Sequence, residues 1–172
     1  DAETGMEFAV KGRCVINAAG ILVDEVMAMD KPGHDRMVTP SQGAHIVLDR
    51  KFLRSDYAVM IPKTSDGRVL FAVPWHDKVV VGTTDIEVPV AEVEPKPLKE
   101  EIDFILGTAG LYMDPAPTYS DIECVFAGQR PLAAPKKSGR SSKELSRGHK
   151  IIISDNKMVT ITGGKWTSYR LM

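Results

Sequence analysis

Between Pro40 and Asp85 the chain sets strand-like runs so close together that no helix fits between them. Ala44 to Leu48, Ala58 to Ile61, Val69 to Pro74 and Lys78 to Thr83 are rich in β-branched and aliphatic residues, with turn residues between them. Parallel neighbours need a crossover of about a dozen residues or more, so these runs pair antiparallel. The last two are joined by a tight turn at Trp75-His76-Asp77. The expected fold class is α+β, a mostly antiparallel sheet with flanking helices.

The rest of the chain is read around that sheet. Arg13 to Asn17 predicts a buried strand that closes in Ala18-Ala19-Gly20, and a short helix carrying Val23, Val26, Met27 and Met29 follows. Lys31-Pro32-Gly33-His34 is a loop, and the change of texture after it places a boundary near Thr39. Pro97 suits a first helical position. Beyond it Leu98, Ile102, Ile105, Leu106 and Ala109 share one helical face, with Glu100 and Glu101 at the positive end of the dipole. Ile122 to Ala127 returns to strand texture, and Lys136 to Lys143 is a basic loop. Lys150 to Ser154 and Lys157 to Thr162 flank a hairpin signal at Asp155-Asn156, and the second run enters Gly163-Gly164-Lys165 before a new helix. Three segments result: 1–39, 40–148 and 149–172.

With 172 residues and 43% hydrophobic content the chain can bury a core. A formal net charge of -1 leaves no global basic field, so nucleic acid is not an expected partner and any anion site must be local. Cys14 and Cys124 lie in apolar runs, which predicts buried free thiols and a reducing compartment. No stretch reaches the roughly 18 consecutive apolar residues of a membrane span. The four histidines and two cysteines show no metal-site spacing, so no metal is expected. The chain opens without Met and stops as a helical pattern begins, which reads as part of something longer.

Candidate chemistry gathers at a few points. In Thr160-Ile161-Thr162-Gly163-Gly164-Lys165-Trp166-Thr167 a strand ends in two glycines and opens a helix, offering backbone N–H groups, a dipole end and the Lys165 cation to an anion or an electron-rich ring. An ordinary strand-to-helix turn would use the same glycines. Arg130 stands at what reads as a strand end, before Pro131, and Arg147 just precedes another strand. Each can grip a carboxylate or phosphate with its fork, or remain a solvated surface charge. His45, inside the strand Gly43-Ala44-His45-Ile46-Val47, faces either a core hydrogen bond or a cleft where it can take a proton. Gly82-Thr83-Thr84-Asp85 can orient a polar ligand or cap a turn.

In order, Val15-Ile16-Asn17-Ala18-Ala19-Gly20, Gln42-Gly43-Ala44-His45, Val73-Pro74-Trp75, Val81-Gly82-Thr83-Thr84-Asp85, Gly128-Gln129-Arg130-Pro131-Leu132, Ser146-Arg147 and Gly163-Gly164-Lys165-Trp166-Thr167 resemble the pattern of the FAD-dependent glycerol-3-phosphate dehydrogenases. The resemblance covers nearly the whole chain. It implies oxidation of sn-glycerol 3-phosphate to dihydroxyacetone phosphate, with FAD taking the hydride and passing electrons to quinone. It also implies that Arg130, Arg147 and Lys165 surround the substrate. Arg147 is then matched to the phosphate, Arg130 to the reacting oxygen and His45 to the proton. Asn17, Ala18, Gly20, Gly163, Gly164, Lys165 and Thr167 are implied on the cofactor side. Segments 1–39 and 149–172 then belong to the FAD-binding domain, and 40–148 to the substrate-binding domain.

Leu22 stands where the family often has an aromatic, and Gln129 where an apolar residue is usual. No Gly-x-Gly-x-x-Gly follows a strand, so the part holding the ADP half of FAD is expected outside this sequence, as is the family's helical C-terminal region. The isolated chain is therefore expected to hold no FAD tightly and to show no turnover. The protein is expected in the cytoplasm, with peripheral attachment to the inner face of the membrane and homo-oligomer formation left open. The rival readings are a glycerophosphate oxidase, a flavin amine or amino-acid oxidase, and a non-catalytic binding module acting through sheet edges and the basic loop.

Overall fold

The computed structural model of the chain describes residue 1, residues 3–133 and residues 148–172. The basic loop Lys136 to Lys143 and Arg147 lie outside the described residues.

Strand β1 (Ile16–Asn17) leads through a 3-10 turn, Gly20–Leu22, into helix α1 (Val23–Asp30). The long strand β2 (Val38–Asp49) follows, then β3 (Val59–Ile61), β4 (Leu70–Trp75), β5 (Lys78–Gly82) and β6 (Ile86–Glu87). Helix α2 (Lys99–Ala109) precedes the second long strand, β7 (Ile122–Ala133), and β8 (His149–Ile153) and β9 (Val159–Gly163) close the order.

The large sheet has the order β3-β4-β5-β2-β6, all antiparallel, with β7 on the other edge of β2. The predicted meander is thus present, its β4–β5 hairpin turning at His76-Asp77, and β2 is its spine. One edge of β2 is covered along most of its length by β7, from Val38↔Ala133 to Leu48↔Ile122. The other edge pairs with β5 over His45 to Asp49 and with β6 at Ser41 and Gln42. Thr83 to Asp85 leave the ladder between those two pairings, and the Ala44 N–H bonds to the Thr84 hydroxyl instead, at 2.8 Å.

Period-2 alternation decides which side of the sheet is core. Ala44, Ile46, Leu48, Leu70, Ala72, Val79 and Val81 point to one face and are all buried, packed with Ile105, Leu106 and Ala109 of α2. Fully burying one such aliphatic side chain is worth about 1.5–3 kcal/mol, so this layer carries much of the fold's stability. The opposite face holds His45, Gly43, Ser41, Arg130, Phe126, Gly82 and Phe71, and it is open, with Phe71 44% and Phe126 45% exposed.

The boundary read near Thr39 falls inside β2, where Pro40 lies opposite Pro131 of β7. Arg130 likewise does not end a strand: β7 continues through Pro131 to Ala133. Helix α2 begins two residues later than the expected first position at Pro97, with Leu98 as its N-cap. Both cysteines are exposed rather than buried. Cys124 pairs with Val47 on the open face, and Cys14 precedes a strand of only two paired residues, so the apolar runs around them do not enclose them.

Glu101 faces inward rather than merely tuning the helix dipole. Its carboxylate accepts from Gln42 Nε2 at 2.8 Å, the Thr84 hydroxyl at 2.5 Å and the Leu98 N–H at 2.9 Å, and the residue is only 3% exposed. One side chain therefore joins the start of α2, the spine strand and the Thr83–Asp85 excursion. Glu101→Ala removes the acceptor of the buried Thr84 hydroxyl, of one Gln42 Nε2 bond and of the part-buried Leu98 N–H, and should cost about 3 kcal/mol, since each orphaned buried group is worth about 1–3 kcal/mol. Urea denaturation of the chain reads this directly, and a loss below about 1 kcal/mol would show that water replaces the carboxylate without penalty.

The smaller sheet has the order β1-β9-β8, with β1 parallel to β9 (Ile16↔Val159, Asn17↔Thr160). It brings the two ends of the chain side by side, and β9 also passes against β7 of the large sheet.

Candidate functional site

The open face becomes a site where β7, β2 and the Gly82–Asp85 excursion meet. Arg130 stands opposite Ser41 on β7, one strand away from the excursion. Its guanidinium reaches across β2, donating from Nη2 to the Thr83 hydroxyl at 3.1 Å and to the Thr84 carbonyl at 3.4 Å, while Nη1 lies 3.7 Å from Asp85 Oδ1. The crossing is over Gly43. A Cβ there would overlap Nη2 and stand 2.6 Å from the Thr83 hydroxyl and 2.7 Å from Nη1. Glycine at this register position is therefore a requirement of the arginine's path.

His45 uses a second glycine in the same way. Its cross-strand partner on β5 is Gly82, where a Cβ would overlap Cδ2 and stand 2.8 Å from Nε2. On the other side the imidazole stacks on Phe126, its partner on β7, with ring centroids 4.9 Å apart and planes 7° apart. The sequence left a core hydrogen bond or a cleft open for this residue. The ring lies half-buried on the open face, and its buried Nδ1 has no hydrogen-bond partner among the described residues. Burial, and then the nearby Arg130 charge, hold its pKa below the ordinary 6.5. A neutral imidazole of this kind is equipped to accept a proton.

Lys165 joins from the smaller sheet. Gln129, Arg130, Pro131, Leu132, Gly164, Lys165 and Trp166 line one cavity of about 320 Å³ between β7 and the end of β9. Gly163 and Gly164 both take positive φ, 76° and 78°, which turns the chain sharply enough to bring Lys165 to this wall. The helix expected after it is only a six-residue 3-10 segment, Trp166–Leu171, so the dipole part of the anion-site argument does not apply. What remains for an anion is the Lys165 charge.

The β1 side is placed more modestly. Asn17 is buried, with its side chain committed to the Val23 carbonyl (3.0 Å), the Thr160 hydroxyl (3.3 Å) and the Ala19 N–H (3.3 Å). It shapes the turn at Ala18 and Gly20 rather than offering its amide outward. Ala18 and Thr167 are exposed, and the Gly20–Leu22 turn packs beside β2 and β7. Of the residues read from the sequence, Arg130 thus lies near His45 on the open face and also lines a cavity with Lys165. Arg147 lies outside the described residues. Gly82 and Asp85 were read only within a segment able to orient a polar ligand or cap a turn, and Ser41 and Gly43 were given no role, although the glycines at cross-strand positions were the available signal.

An open sheet face with two glycine gaps, a histidine and a cation, joined to a glycine-turned cationic corner, defines a class of protein. The chain belongs to the FAD dependent oxidoreductase family, whose model matches residues 2–170. Within it the chain is similar to mitochondrial glycerol-3-phosphate dehydrogenases, with 40% identity to that of Mus musculus over all of this chain and 24% of the relative. The probable enzyme of Dictyostelium discoideum is 38% identical over all of this chain and 28% of its own length. The chain thus spans about a quarter of the length of the curated relatives it matches. Among solved structures it resembles the glycerol-3-phosphate dehydrogenase from Bacillus halodurans complexed with FAD, with a TM-score of 0.79 and 34% identity over 94% of this chain and 30% of that one. A glycine oxidase from Bacillus cereus, at 17% identity and TM-score 0.54, shares the fold.

The residues present fit one side of a flavin. The cavity of β7 and β9 combines apolar walls, Pro131, Leu132 and Trp166, with the cation of Lys165, a lining suited to a flat ring that gains negative charge on reduction. Among the described residues no helix is long and apolar enough to cross a membrane.

Proposed function

We propose that the protein containing this chain oxidises sn-glycerol 3-phosphate to dihydroxyacetone phosphate and passes the electrons to quinone. The observation that carries the reading is the placement of Arg130 beside His45 on the open face of the sheet, with Arg130 and Lys165 lining one cavity. FAD, when bound, supplies the hydride acceptor. The chain's own residues do the rest. His45 takes the hydroxyl proton as the alcohol carbon loses hydride. Arg130 stabilises the developing alkoxide, and Lys165, with Arg147, holds the phosphate dianion. Phe126, stacked on His45, supplies an apolar wall beside the reacting centre.

Quinone is carried in membranes, so in this reading the full-length protein works against a membrane surface from the cytoplasmic side. The chain by itself holds half of a cofactor cradle at most and neither retains FAD nor turns over. Three measurements test this together. The full-length protein should reduce a soluble quinone analogue on adding glycerol 3-phosphate, without stoichiometric peroxide. Unphosphorylated glycerol should be at least about 10²-fold poorer, because it offers these cations no anion. The isolated chain should emerge from gel filtration colourless. Peroxide in place of reduced quinone would make the protein an oxidase, and indifference to the phosphate would remove the substrate class.

A further inference from the structure

The segment Gly82-Thr83-Thr84-Asp85 interrupts the edge pairing of the spine strand, and it is built around a carboxylate. Asp85 is 8% exposed and accepts a hydrogen bond from the hydroxyl of Ser41, itself fully buried on β2. Two guanidinium groups approach it, Arg130 from β7 with Nη1 3.7 Å from Oδ1, and Arg68 from the loop before β4 with Nη1 3.9 Å from Oδ2. Thr83 and Thr84 add a hydroxyl and a carbonyl to the same arginine, at 3.1 and 3.4 Å. These acceptors come from one side, and Gly43 lies beneath. A flexible arginine is thereby confined to one plane and one depth over the sheet. Such confinement matters where a cation must meet charge that develops only in the transition state.

We propose that Asp85, anchored by Ser41, is a positioning residue that aims Arg130 at the reacting oxygen. The proposal rests on the function proposed above and adds a residue to it. A carboxylate next to the catalytic cation offsets part of its charge. Its geometry explains the arrangement: an arginine left free would fold onto any anionic group of the substrate, including the phosphate, and the productive pose would be one among several. Asp85 takes up that freedom, leaving the phosphate to the other cations. Its loss should therefore lower kcat far more than it raises KM.

The test is a double-mutant cycle in the full-length, FAD-loaded protein with glycerol 3-phosphate. Asp85→Asn should lower kcat by about 10²-fold, the usual consequence of displacing a catalytic group by about an ångström. KM should change by less than about threefold, and in an Arg130→Ala background the same substitution should change kcat by less than about threefold, since its target is gone. Multiplicative effects in the cycle, or a loss confined to KM, overturn the proposal. Should Asp85→Asn fail to retain flavin, Ser41→Ala carries the same cycle with an expected loss of about tenfold, because it releases the carboxylate without removing its charge. Unchanged turnover in Arg130→Ala alone overturns both this proposal and the role given to Arg130, and so is distinguishable from failure of the positioning step.

Discussion

Gly43→Ala in the full-length protein is expected to lower kcat/KM for glycerol 3-phosphate by about 10²–10³-fold, the range seen when one transition-state charge stabiliser is lost, while shifting Tm by only a few degrees. The new methyl group would occupy the place where the Arg130 guanidinium crosses β2. The three atoms nearest to it are side-chain atoms, two nitrogens of Arg130 and the Thr83 hydroxyl, so the closest clashes are relieved without moving the backbone. The arginine must. A one-carbon change that contacts neither substrate nor flavin thus separates folding from chemistry, and Arg130→Ala should reproduce its kinetics. Full activity in Gly43→Ala with intact thermal stability would mean that the arginine works from another position.

His45→Ala should reduce kcat by about 10²–10⁴-fold at neutral pH, the usual worth of a positioned general base. The pH profile gives the sharper measurement. Burial and the Arg130 charge both favour the neutral ring, so the folded-state pKa lies below 6.5. A base works unprotonated, and activity is therefore present above that pKa and lost as pH falls through it. The acid limb of kcat/KM should accordingly lie below pH 6.5 in the parent and be absent from the residual activity of His45→Ala. Arg130→Ala should move that limb upward, because it removes the positive charge that opposes protonation. An acid limb unaltered by His45→Ala would assign it to a different group. Gly82→Ala, whose methyl would displace the imidazole from between β5 and Phe126, should resemble His45→Ala.

Much of the scaffold was legible because period-2 alternation is a local property. The runs at Ala44, Val69 and Lys78 became β2, β4 and β5 within a few residues, and the apolar face from Ile102 to Ala109 became α2. Where the reading stopped short, a partner strand was the cause. β2 and β7 run further than their apolar runs suggest, since each extends the other across Pro40 and Pro131. The same pairing moved Arg130 from a strand end to mid-strand and left Cys124 on an open face. Glu101 was read as a dipole partner because its helix position is all the sequence displays. Its burial depends on Gln42 and Thr84 arriving from elsewhere in the chain.

The amino-acid order alone determined the strand and helix types, the family resemblance and the residue kinds able to handle a phosphorylated alcohol, because periodicity and side-chain chemistry are carried by neighbours in the chain. Tertiary structure decided which of those residues act together. The Arg130 path over Gly43, the hold of Asp85 upon it, and the seat of His45 between Gly82 and Phe126 are cross-strand relations. They depend on sheet register, and register is set by the burial of a whole face at once rather than by any one segment.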